Sequence, residues 1–279
     1  MRVAAVQLAS GPDVDENVRR AGELVRVAAD QGAELVVLPE YWNVYGPPET
    51  LTLRAEPLDG PSLGEAAELS RRLGIWLAAG TIVERATDGL YDTAVVFSPR
   101  GEPAAVYRKM HLFHCGVEGA EQDEASFLEP GSKTVSLRLE DRLFVGLAVC
   151  YDLRFPEMFR DLAEEGVDAF LVPSAFTAVT GRDHWELLVR ARALDNLAWV
   201  VAPNQGGRTG RPGVQTFGHS IVCDPWGGVV ARAGAEGDAV LVVSLEKAAV
   251  ESARSRLPGI DPRSPTRIRR RSTRTGGRE

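Results

Sequence analysis

GAELVVLP (residues 32–39) and GVDAFLVP (residues 166–173) are the two stretches that decide the fold. Each has a glycine, an acid two residues later, a short apolar run and a closing proline. A short apolar run between turn residues is typical of a strand buried on both faces. The repeat predicts two similar α/β halves, with two sheets packed face to face and helices outside.

Strand-like and helix-like segments alternate through the rest of the chain. The first helix is expected to be capped by Asp13. A later helix is expected to start at Ser62, with Glu65 completing a capping box. TVSLRLEDRLFVGLAVC (residues 134–150) predicts a hairpin, and Pro156 fits the first turn of the helix that follows. This alternation favours the α/β class.

Composition is that of a globular protein, and the charge excludes one class of binder. The sequence has 279 residues, of which 44% are hydrophobic and 25% charged, and its net charge is −7. A general nucleic-acid-binding protein needs a basic surface, so this charge argues against that function. Residues 259–279 are basic, and we expect them to be a mobile tail behind a single domain over residues 1–258.

The cysteines, the histidines and the apolar segments indicate the cellular compartment and whether a metal or a membrane span is expected. Cys115, Cys150 and Cys223 are odd in number and lack CxxC spacing, which predicts neither a disulfide framework nor a zinc site and favours a reducing cytoplasm. The histidines add no recognisable ligand spacing, so we expect no metal and no cofactor. The first apolar run is too short for a signal peptide, and no later one is long enough to span a membrane.

Chemically useful side chains follow three of the expected strands. Glu40 comes after LVVLP, Lys109 lies in YRKMHLF, and Cys150 ends FVGLAVC. Strand ends in α/β folds point into the ligand crevice, where a carboxylate can act as a base and a lysine can face an oxyanion. A thiol beside a helix start is favoured as thiolate. Taken singly, the two charged residues could equally be solvated, and the cysteine could be a packed core residue.

The three segments occur together and in order, and they resemble the nitrilase superfamily, the carbon–nitrogen hydrolases with a Glu–Lys–Cys triad. The similarity extends to about Pro258 and is greatest to the Nit branch of ω-amidases and deaminated-glutathione amidases. It includes TGRDHWELLVRARALDN (residues 180–196) and FGHSIVCDPWG (residues 217–227). The resemblance implies a four-layer αββα sandwich of two mixed sheets with outer helices. It also implies a small-molecule amide substrate and subunits that commonly pair through outer helices.

The resemblance implies catalytic residues as well. Carried over position by position, they are Glu40, Lys109, Cys150 and, in EASFLEPG, Glu124. The chain departs from the family pattern at Ala125, where a serine is usual, and at His114, where an aspartate is usual. The second departure lies in the loop that leads to Glu124, so it bears on the contacts of that loop and of the pocket.

This assignment predicts a two-step reaction. Amides resist water, and a covalent thioester divides their hydrolysis into two easier steps. Glu40 is expected to take the Cys150 proton, and the oxyanion is expected to meet the Lys109 ammonium and the Tyr151 N–H. Ammonia then leaves and water cleaves the thioester. Glu124 is expected to orient the lysine, or the leaving group and water.

The residue most informative about the substrate is Arg154, four positions after the cysteine. Its planar guanidinium could bind a substrate carboxylate, or it could form a structural ion pair with Asp152 or Glu157. Tyr45 and Phe176 match aromatic pocket positions of the Nit branch. Cysteine followed by tyrosine also resembles amidases more than true nitrilases, which usually have tryptophan and glutamate there.

Three other functions stay open on the sequence. The chain could be an N-carbamoyl amino acid amidohydrolase, which releases carbon dioxide as well as ammonia. A Cys–His protease or acyltransferase would use His111 or His184 as its base. A non-enzymatic scaffold would bind a small amide or a partner protein, although binding alone does not need the four groups together. We therefore predict hydrolysis of a linear amide in a small carboxylate-bearing substrate.

Overall fold

The computed structural model describes residues 1–118, 120, 122–207 and 213–263. Its strands are β1 (Arg2–Gln7), β2 (Leu35–Val37), β3 (Trp76–Arg85), β4 (Leu90–Phe97), β5 (Pro103–Arg108), β6 (His114–Cys115), β7 (Gln122–Asp123), β8 (Val135–Leu139), β9 (Leu143–Leu147), β10 (Ala169–Leu171), β11 (Trp199–Ala202), β12 (Ile221–Cys223), β13 (Val229–Arg232) and β14 (Ala239–Ser244). Its α-helices are α1 (Val14–Asp30), α2 (Pro48–Leu53), α3 (Pro61–Leu73), α4 (Pro156–Glu164), α5 (Ala178–Asn196) and α6 (Lys247–Arg256). Two 3₁₀ turns cover Glu124–Ser126 and Cys150–Arg154.

Within these residues the strands form two six-stranded sheets that share one pairing pattern. The first has the order β14-β1-β2-β3-β4-β5 and the second the order β8-β9-β10-β11-β12-β13. In each sheet the second, third and fourth strands are parallel and the remaining pairs are antiparallel. The sequence repeat falls on the third strand of each sheet, β2 and β10. The prediction of two similar halves is therefore confirmed, and so is the hairpin of β8 and β9.

Alternating side chains divide the apolar residues into layers. Ala4 and Val6 of β1 pack in one cluster with apolar residues of α1 and α3, whereas Val3 belongs to the core shared with the second sheet. On the second sheet, Phe170 of β10 packs against Phe159 of α4, with ring centroids 4.9 Å apart. The layers follow the order helix, sheet, sheet, helix. The predicted αββα sandwich of two mixed sheets is confirmed.

The helix starts agree with the sequence in one case and differ in another. The Asp13 side chain caps α1 as predicted. The expected capping box at Ser62 is wrong, because α3 begins one residue earlier with Gly60 as its N-cap. The Ser62 hydroxyl instead donates to Oε1 of the buried Glu56, at 2.6 Å, and leaves Glu65 without a capping role. Ser62 therefore lies inside the first turn of α3, where its hydroxyl donates to a distant acid, and not at the N-cap, where it would accept from the Glu65 N–H.

Two further expectations, the absence of a membrane span and the domain boundary at residue 258, are addressed only in part. No helix among the described residues is long and apolar enough to cross a membrane. Residues 264–279, most of the basic tail, lie outside the described residues. The last helix, α6, ends just before the expected boundary at residue 258, which stays a prediction.

β3 passes close to the segment that follows β2 because Gly80 has no side chain. Its φ is +52°, and a Cβ at this position would lie 2.0 Å from the carbonyl oxygen of Pro39, the residue before Glu40. The pairing of β3 with β4 changes register at the same place, between Ala78 and Thr81. Glycine is therefore required here for the Glu40 segment to lie against the sheet.

We expect Gly80→Ala to lower the free energy of unfolding by roughly 2–5 kcal/mol, because it adds a strained backbone conformation and a clash with Pro39. Denaturant unfolding measures the change. Gly64→Ala is the matched control, since Gly64 is an exposed residue of α3 with open space around its Cβ. Alanine there should raise the stability by up to about 1 kcal/mol. Equal effects of the two substitutions would contradict the role given to Gly80.

Candidate active site

The Lys109 ammonium lies among buried carboxylates at the carboxyl ends of the strands. Lys109 follows β5, and its Nζ is 2.8 Å from Oε1 of Glu40 and 2.8 Å from Oε2 of Glu124. All three side chains are at most 2% exposed. Buried charges are tolerated only when they are paired and hydrogen-bonded. The ammonium therefore fixes the two glutamates relative to each other.

Glu124 is held on several sides. Its carboxylate accepts a hydrogen bond from the Tyr41 hydroxyl at 3.0 Å and one from the Phe113 N–H at 2.7 Å. It follows the short hairpin of β6 and β7, in which His114 pairs with Asp123. His114, the departure from the family pattern, is exposed, and its Nδ1 lies 3.5 Å from the Asp123 carboxylate. The histidine thus stabilises the hairpin from outside the pocket.

Cys150 begins the 3₁₀ turn that follows β9. Its φ is +45°, an unusual conformation for a residue with a side chain. Its N–H donates to the carbonyl oxygen of Pro173 at 3.0 Å. The Tyr151 N–H comes next, in the first part of a helical turn where N–H groups lack an intrahelical acceptor. The turn thus places the thiol next to the Tyr151 N–H, whose role as an oxyanion donor stays a prediction.

Asp152 fixes this turn in place. It is fully buried and accepts hydrogen bonds from the Val149 N–H at 2.8 Å and from the Tyr107 hydroxyl at 2.7 Å. Its other oxygen lies 2.7 Å from Nδ1 of His111, whose ring stacks on Phe155 with centroids 3.6 Å apart. His111 is therefore part of the support for the turn rather than a base for the thiol.

Burial sets the protonation of the site. It raises the pKa of the Cys150 thiol, and the charge of Glu40 adds to the effect, while Lys109 and the Ala175 N–H oppose it. Burial also raises the pKa of Glu40 well above its ordinary value, against the lowering effect of Lys109. For Lys109, burial is outweighed by Glu124 and Glu40, so its pKa is raised. This direction is opposite to the one expected from the helix start alone, and a thiolate at Cys150 stays a prediction.

A pocket of about 340 Å³, part of it open to solvent, leads to the thiol. Among the described residues that line it are all four predicted for the substrate: Tyr45, Tyr151, Arg154 and Phe176. Its floor includes Glu40, Glu124 and Cys150, whereas Lys109 lies behind the glutamates. The pocket has the size of a small-molecule site. The predicted catalytic and substrate residues are thus brought together in one place.

Arg154 lies at the mouth of this pocket. Its guanidinium carbon is 5.5 Å from the ring centroid of Tyr151 and 5.7 Å from that of Phe176, and its Nη2 is 3.2 Å from Nδ1 of His184. Across the described part of the chain, no carboxylate lies within salt-bridge distance of it. The alternative of an ion pair with Asp152 or Glu157 is not observed there.

Two buried residues of the site were not predicted from the sequence. Asp92 of β4 lies 3.4 Å from Nζ of Lys109 through its Oδ2. An acid inside the apolar strand LYDTAVVF is the signal that could have indicated it. Gln205, which follows β11, donates from Nε2 to the carbonyl oxygen of Glu40 at 2.8 Å. It ties the second sheet to the first, and nothing in its local sequence indicates this.

The three carboxylates at the site could in principle hold a cation. Oxygens of Glu40, Asp92 and Glu124 lie within 4.8 Å of one another. The Lys109 ammonium, however, already lies within 2.8, 3.4 and 2.8 Å of these side chains, in that order. A lysine thus takes the place of a metal ion at the centre of this cluster.

This geometry can be compared with known proteins. A model of the family described as carbon–nitrogen hydrolase matches residues 2–255. The chain belongs to the carbon–nitrogen hydrolase family. In structure it is similar to Saccharomyces cerevisiae Nit3, a member of branch 10 of the nitrilase superfamily, with a TM-score of 0.85, 34% identity and coverage of 97% of this chain and 96% of that one.

Relatives of this carbon–nitrogen hydrolase carry amidase names. The chain is 40% identical to the deaminated glutathione amidase of Mus musculus, over 94% of this chain and 83% of the relative. It is 36% identical to an ω-amidase of Pongo abelii, over 92% of each. An amidase from Nesterenkonia sp. AN1, with acrylamide added at its active-site cysteine, matches at 27% identity and a TM-score of 0.76, over 93% and 98% of the two chains. The protein is an amidase of this family.

Proposed function

We propose that this amidase hydrolyses a linear amide C–N bond in a small carboxylate-bearing substrate through a thioester on Cys150. The observation that carries the proposal is the contact of Lys109 with Glu40 and Glu124 at the floor of the pocket that holds the thiol. The active-site cysteine adduct of the Nesterenkonia amidase supports the choice of a cysteine nucleophile. The names of the mouse and Pongo abelii relatives support the substrate class.

The first half of the reaction makes the thioester. Glu40 takes the proton of the Cys150 thiol, and the sulfur attacks the amide carbonyl carbon. Negative charge on the carbonyl oxygen is met by the Lys109 ammonium and the Tyr151 N–H. Glu40 gives its proton to the amide nitrogen, the C–N bond breaks and ammonia leaves. Because both groups are buried, the pKa values of thiol and carboxyl are raised together, which keeps the proton transfer between them feasible.

The second half regenerates the enzyme. A water molecule enters the space left by ammonia and loses a proton to Glu40 as it attacks the thioester carbonyl. The C–S bond breaks, the carboxylic acid leaves and the Cys150 sulfur regains a proton from Glu40. Glu124 takes no proton in this scheme, because its carboxylate is already engaged by hydrogen bonds from Lys109, the Tyr41 hydroxyl and the Phe113 N–H. Burial raises the pKa of Glu124, and Lys109 and the Phe113 N–H oppose the rise. The role of Glu124 is to orient the ammonium.

Arg154 supports a substrate that carries a carboxylate. Its guanidinium faces the pocket between the rings of Tyr151 and Phe176, both of which line the walls. A planar guanidinium binds a carboxylate through two parallel hydrogen bonds. Tyr45 contributes a further aromatic wall and packs against Tyr41, with centroids 5.9 Å apart. An apolar pocket with one cation at its mouth suits a short amide with an acidic group at its far end.

Ammonia release from α-ketoglutaramate, a short ω-amide acid, tests the proposal. The rate of ammonia release by Cys150→Ala is expected to be lower than that of the wild type by a factor of at least about 10³, because no other group forms the thioester. Cys223→Ala and Cys115→Ala are the controls. Cys223 is fully buried, and burial raises its pKa to about 12, so its thiol is inert.

Persistent activity in Cys150→Ala would contradict the nucleophile. A wild-type protein that releases no ammonia, but whose Cys150 is alkylated by iodoacetamide, would contradict the substrate instead. Deaminated glutathione and N-carbamoyl amino acids would then be compared, the latter by release of carbon dioxide. This panel also tests the carbamoylase alternative, which stays a prediction.

The carboxylate preference has a test of its own. Arg154→Ala is expected to raise KM for α-ketoglutaramate by roughly 10–100-fold, the cost of losing hydrogen bonds between charged groups, with little change in kcat. For a neutral short amide, KM should stay the same. Arg182→Ala, at an exposed position of α5, is the matched control. A KM that rises equally for both substrates would contradict a carboxylate contact.

We propose further that two copies of the chain pair through their outer helices and that the protein works in the cytoplasm. Leu187 and Leu194 of α5 are 67% and 41% exposed, and Trp226, Val229 and Val230 are also exposed near or on β13. Apolar patches of this kind mark interaction surfaces. The cytoplasm is proposed because all three cysteines are free thiols, which is typical of proteins in a reducing compartment.

Leu187→Glu tests the pairing by sedimentation. We expect the wild type to sediment as a dimer and Leu187→Glu to sediment as a monomer, because a charge on the patch opposes its burial. Leu53→Glu is the control, since Leu53 is 76% exposed at the end of α2. A wild type that is monomeric, or a dimer unaffected by the α5 substitution, would contradict this interface.

A further inference from the structure

His184 is a polar residue that the proposed reaction does not use, although the sequence left it open as a base. It is an exposed residue of α5, in the stretch TGRDHWELL (residues 180–188). Its Nδ1 lies 3.2 Å from Nη2 of Arg154, at the mouth of the pocket. Within the described part of the chain, this is the one hydrogen bond that either side chain makes. The two residues therefore form a pair to which the reaction scheme gives no purpose.

The position of His184 is fixed by its neighbours on α5. Trp185 is 1% exposed and packs on Phe176, with ring centroids 4.9 Å apart. Its Nε1 donates to the carbonyl oxygen of His219 at 2.8 Å. Thr180, four residues before His184 and hence on the same face of the helix, lines the pocket. This face of α5 thus borders the pocket, and a buried ring holds the turn that carries His184.

The hydrogen bond between the two side chains can run in one direction only. A guanidinium has N–H donors and no acceptor, so Nδ1 of His184 accepts and the ring proton lies on Nε2. An imidazole with one ring proton carries no charge. The bond thus orients the Arg154 guanidinium without neutralising it, whereas a carboxylate partner would do both.

The other contacts that the structure describes for Arg154 are with aromatic rings. The guanidinium carbon lies 5.5 Å from the ring centroid of Tyr151 and 5.7 Å from that of Phe176. Aromatic faces attract a cation and restrict its motion, but they leave its N–H groups without strong acceptors. Arg154 is therefore held by two rings and one uncharged acceptor. Its charge and its remaining N–H groups are left for a carboxylate that enters the pocket.

We propose that His184 is a positioning residue for substrate specificity, which holds the Arg154 guanidinium at the mouth of the pocket as an uncharged acceptor and leaves its charge for the substrate carboxylate. This inference rests on the proposed function, in which Arg154 binds that carboxylate. His184 takes part in no step of the reaction, and no bond to it forms or breaks. Its effect therefore belongs to KM and not to kcat.

Three substitutions of His184 separate this role from a merely structural one. His184→Asn supplies an uncharged amide oxygen in place of Nδ1, so KM for α-ketoglutaramate should stay within about 2-fold of wild type. His184→Ala loses the acceptor and should raise KM by roughly 3–10-fold, the usual effect of one hydrogen bond. His184→Asp supplies an acceptor that also neutralises the guanidinium, so KM should rise further than in His184→Ala. In all three variants kcat should stay the same.

A double-mutant cycle tests whether His184 acts through Arg154. In an Arg154→Ala background, His184→Ala should change KM by less than about 2-fold, because the group that it positions is gone. Asp183→Asn is the matched control, since it changes the charge at the exposed neighbouring position of α5. It should leave KM within about 2-fold of wild type. Equal KM values for the three His184 variants, or an effect of His184→Ala that persists without Arg154, would overturn the proposal.

A binding measurement removes the dependence on catalysis. Glutarate, a short dicarboxylate, is titrated into Cys150→Ala enzyme by calorimetry, and Kd should follow the same order across the three His184 substitutions. If Arg154→Ala weakens neither KM nor glutarate binding, the proposed carboxylate contact is wrong and the role of His184 falls with it. If Arg154→Ala weakens binding but the three His184 substitutions do not differ, the inference about His184 alone is overturned.

Discussion

The ion contact of Lys109 with Glu40 and Glu124 is the constraint on which the rest of the site depends. It joins the segment after β2, the end of β5 and the 3₁₀ turn after β7, which are far apart in the chain. Breaking such a buried pair by removing one partner typically costs about 3–5 kcal/mol. The fold therefore has to supply burial, hydrogen bonds and rigid strand ends together. The αββα arrangement does so because both sheets contribute strand ends to the same edge.

The second sheet supplies the thiol and also steadies the base. Gln205 reaches across to the Glu40 carbonyl oxygen and to the Ser10 hydroxyl, at 2.8 and 2.9 Å. Cys150 sits in a strained turn that Asp152 fixes through three neighbouring groups. Strain of this kind persists only where the surroundings determine it. The position of the sulfur relative to the carboxyl is thus a property of two packed sheets, not of one loop.

The sequence predicted those parts of the molecule that leave a local pattern. The apolar runs before Pro39 and Pro173 indicated the two central strands, and Asp13 indicated a helix start. The family pattern indicated the residues proposed as catalytic, which the fold brings together at one pocket. Contacts between distant segments left no such pattern. The Ser62 hydroxyl donates to Glu56, and burial raises the pKa of the Cys150 thiol against the local features that favour a thiolate. Both effects arise only after the sheets have packed, so no local pattern indicates them.

The division of the site between the two halves has a consequence for biosynthesis. The acid, the lysine and the second glutamate all precede residue 125, whereas the cysteine belongs to the second sheet. A ribosome-bound chain that ends before β9 has the proposed base but no nucleophile, and its first sheet also lacks β14, which pairs with β1. An unfolded second half has a thiol with no carboxyl beside it. The proposed site is therefore complete only when segments from both halves have come together, and β14 closes the first sheet after the thiol has been synthesised.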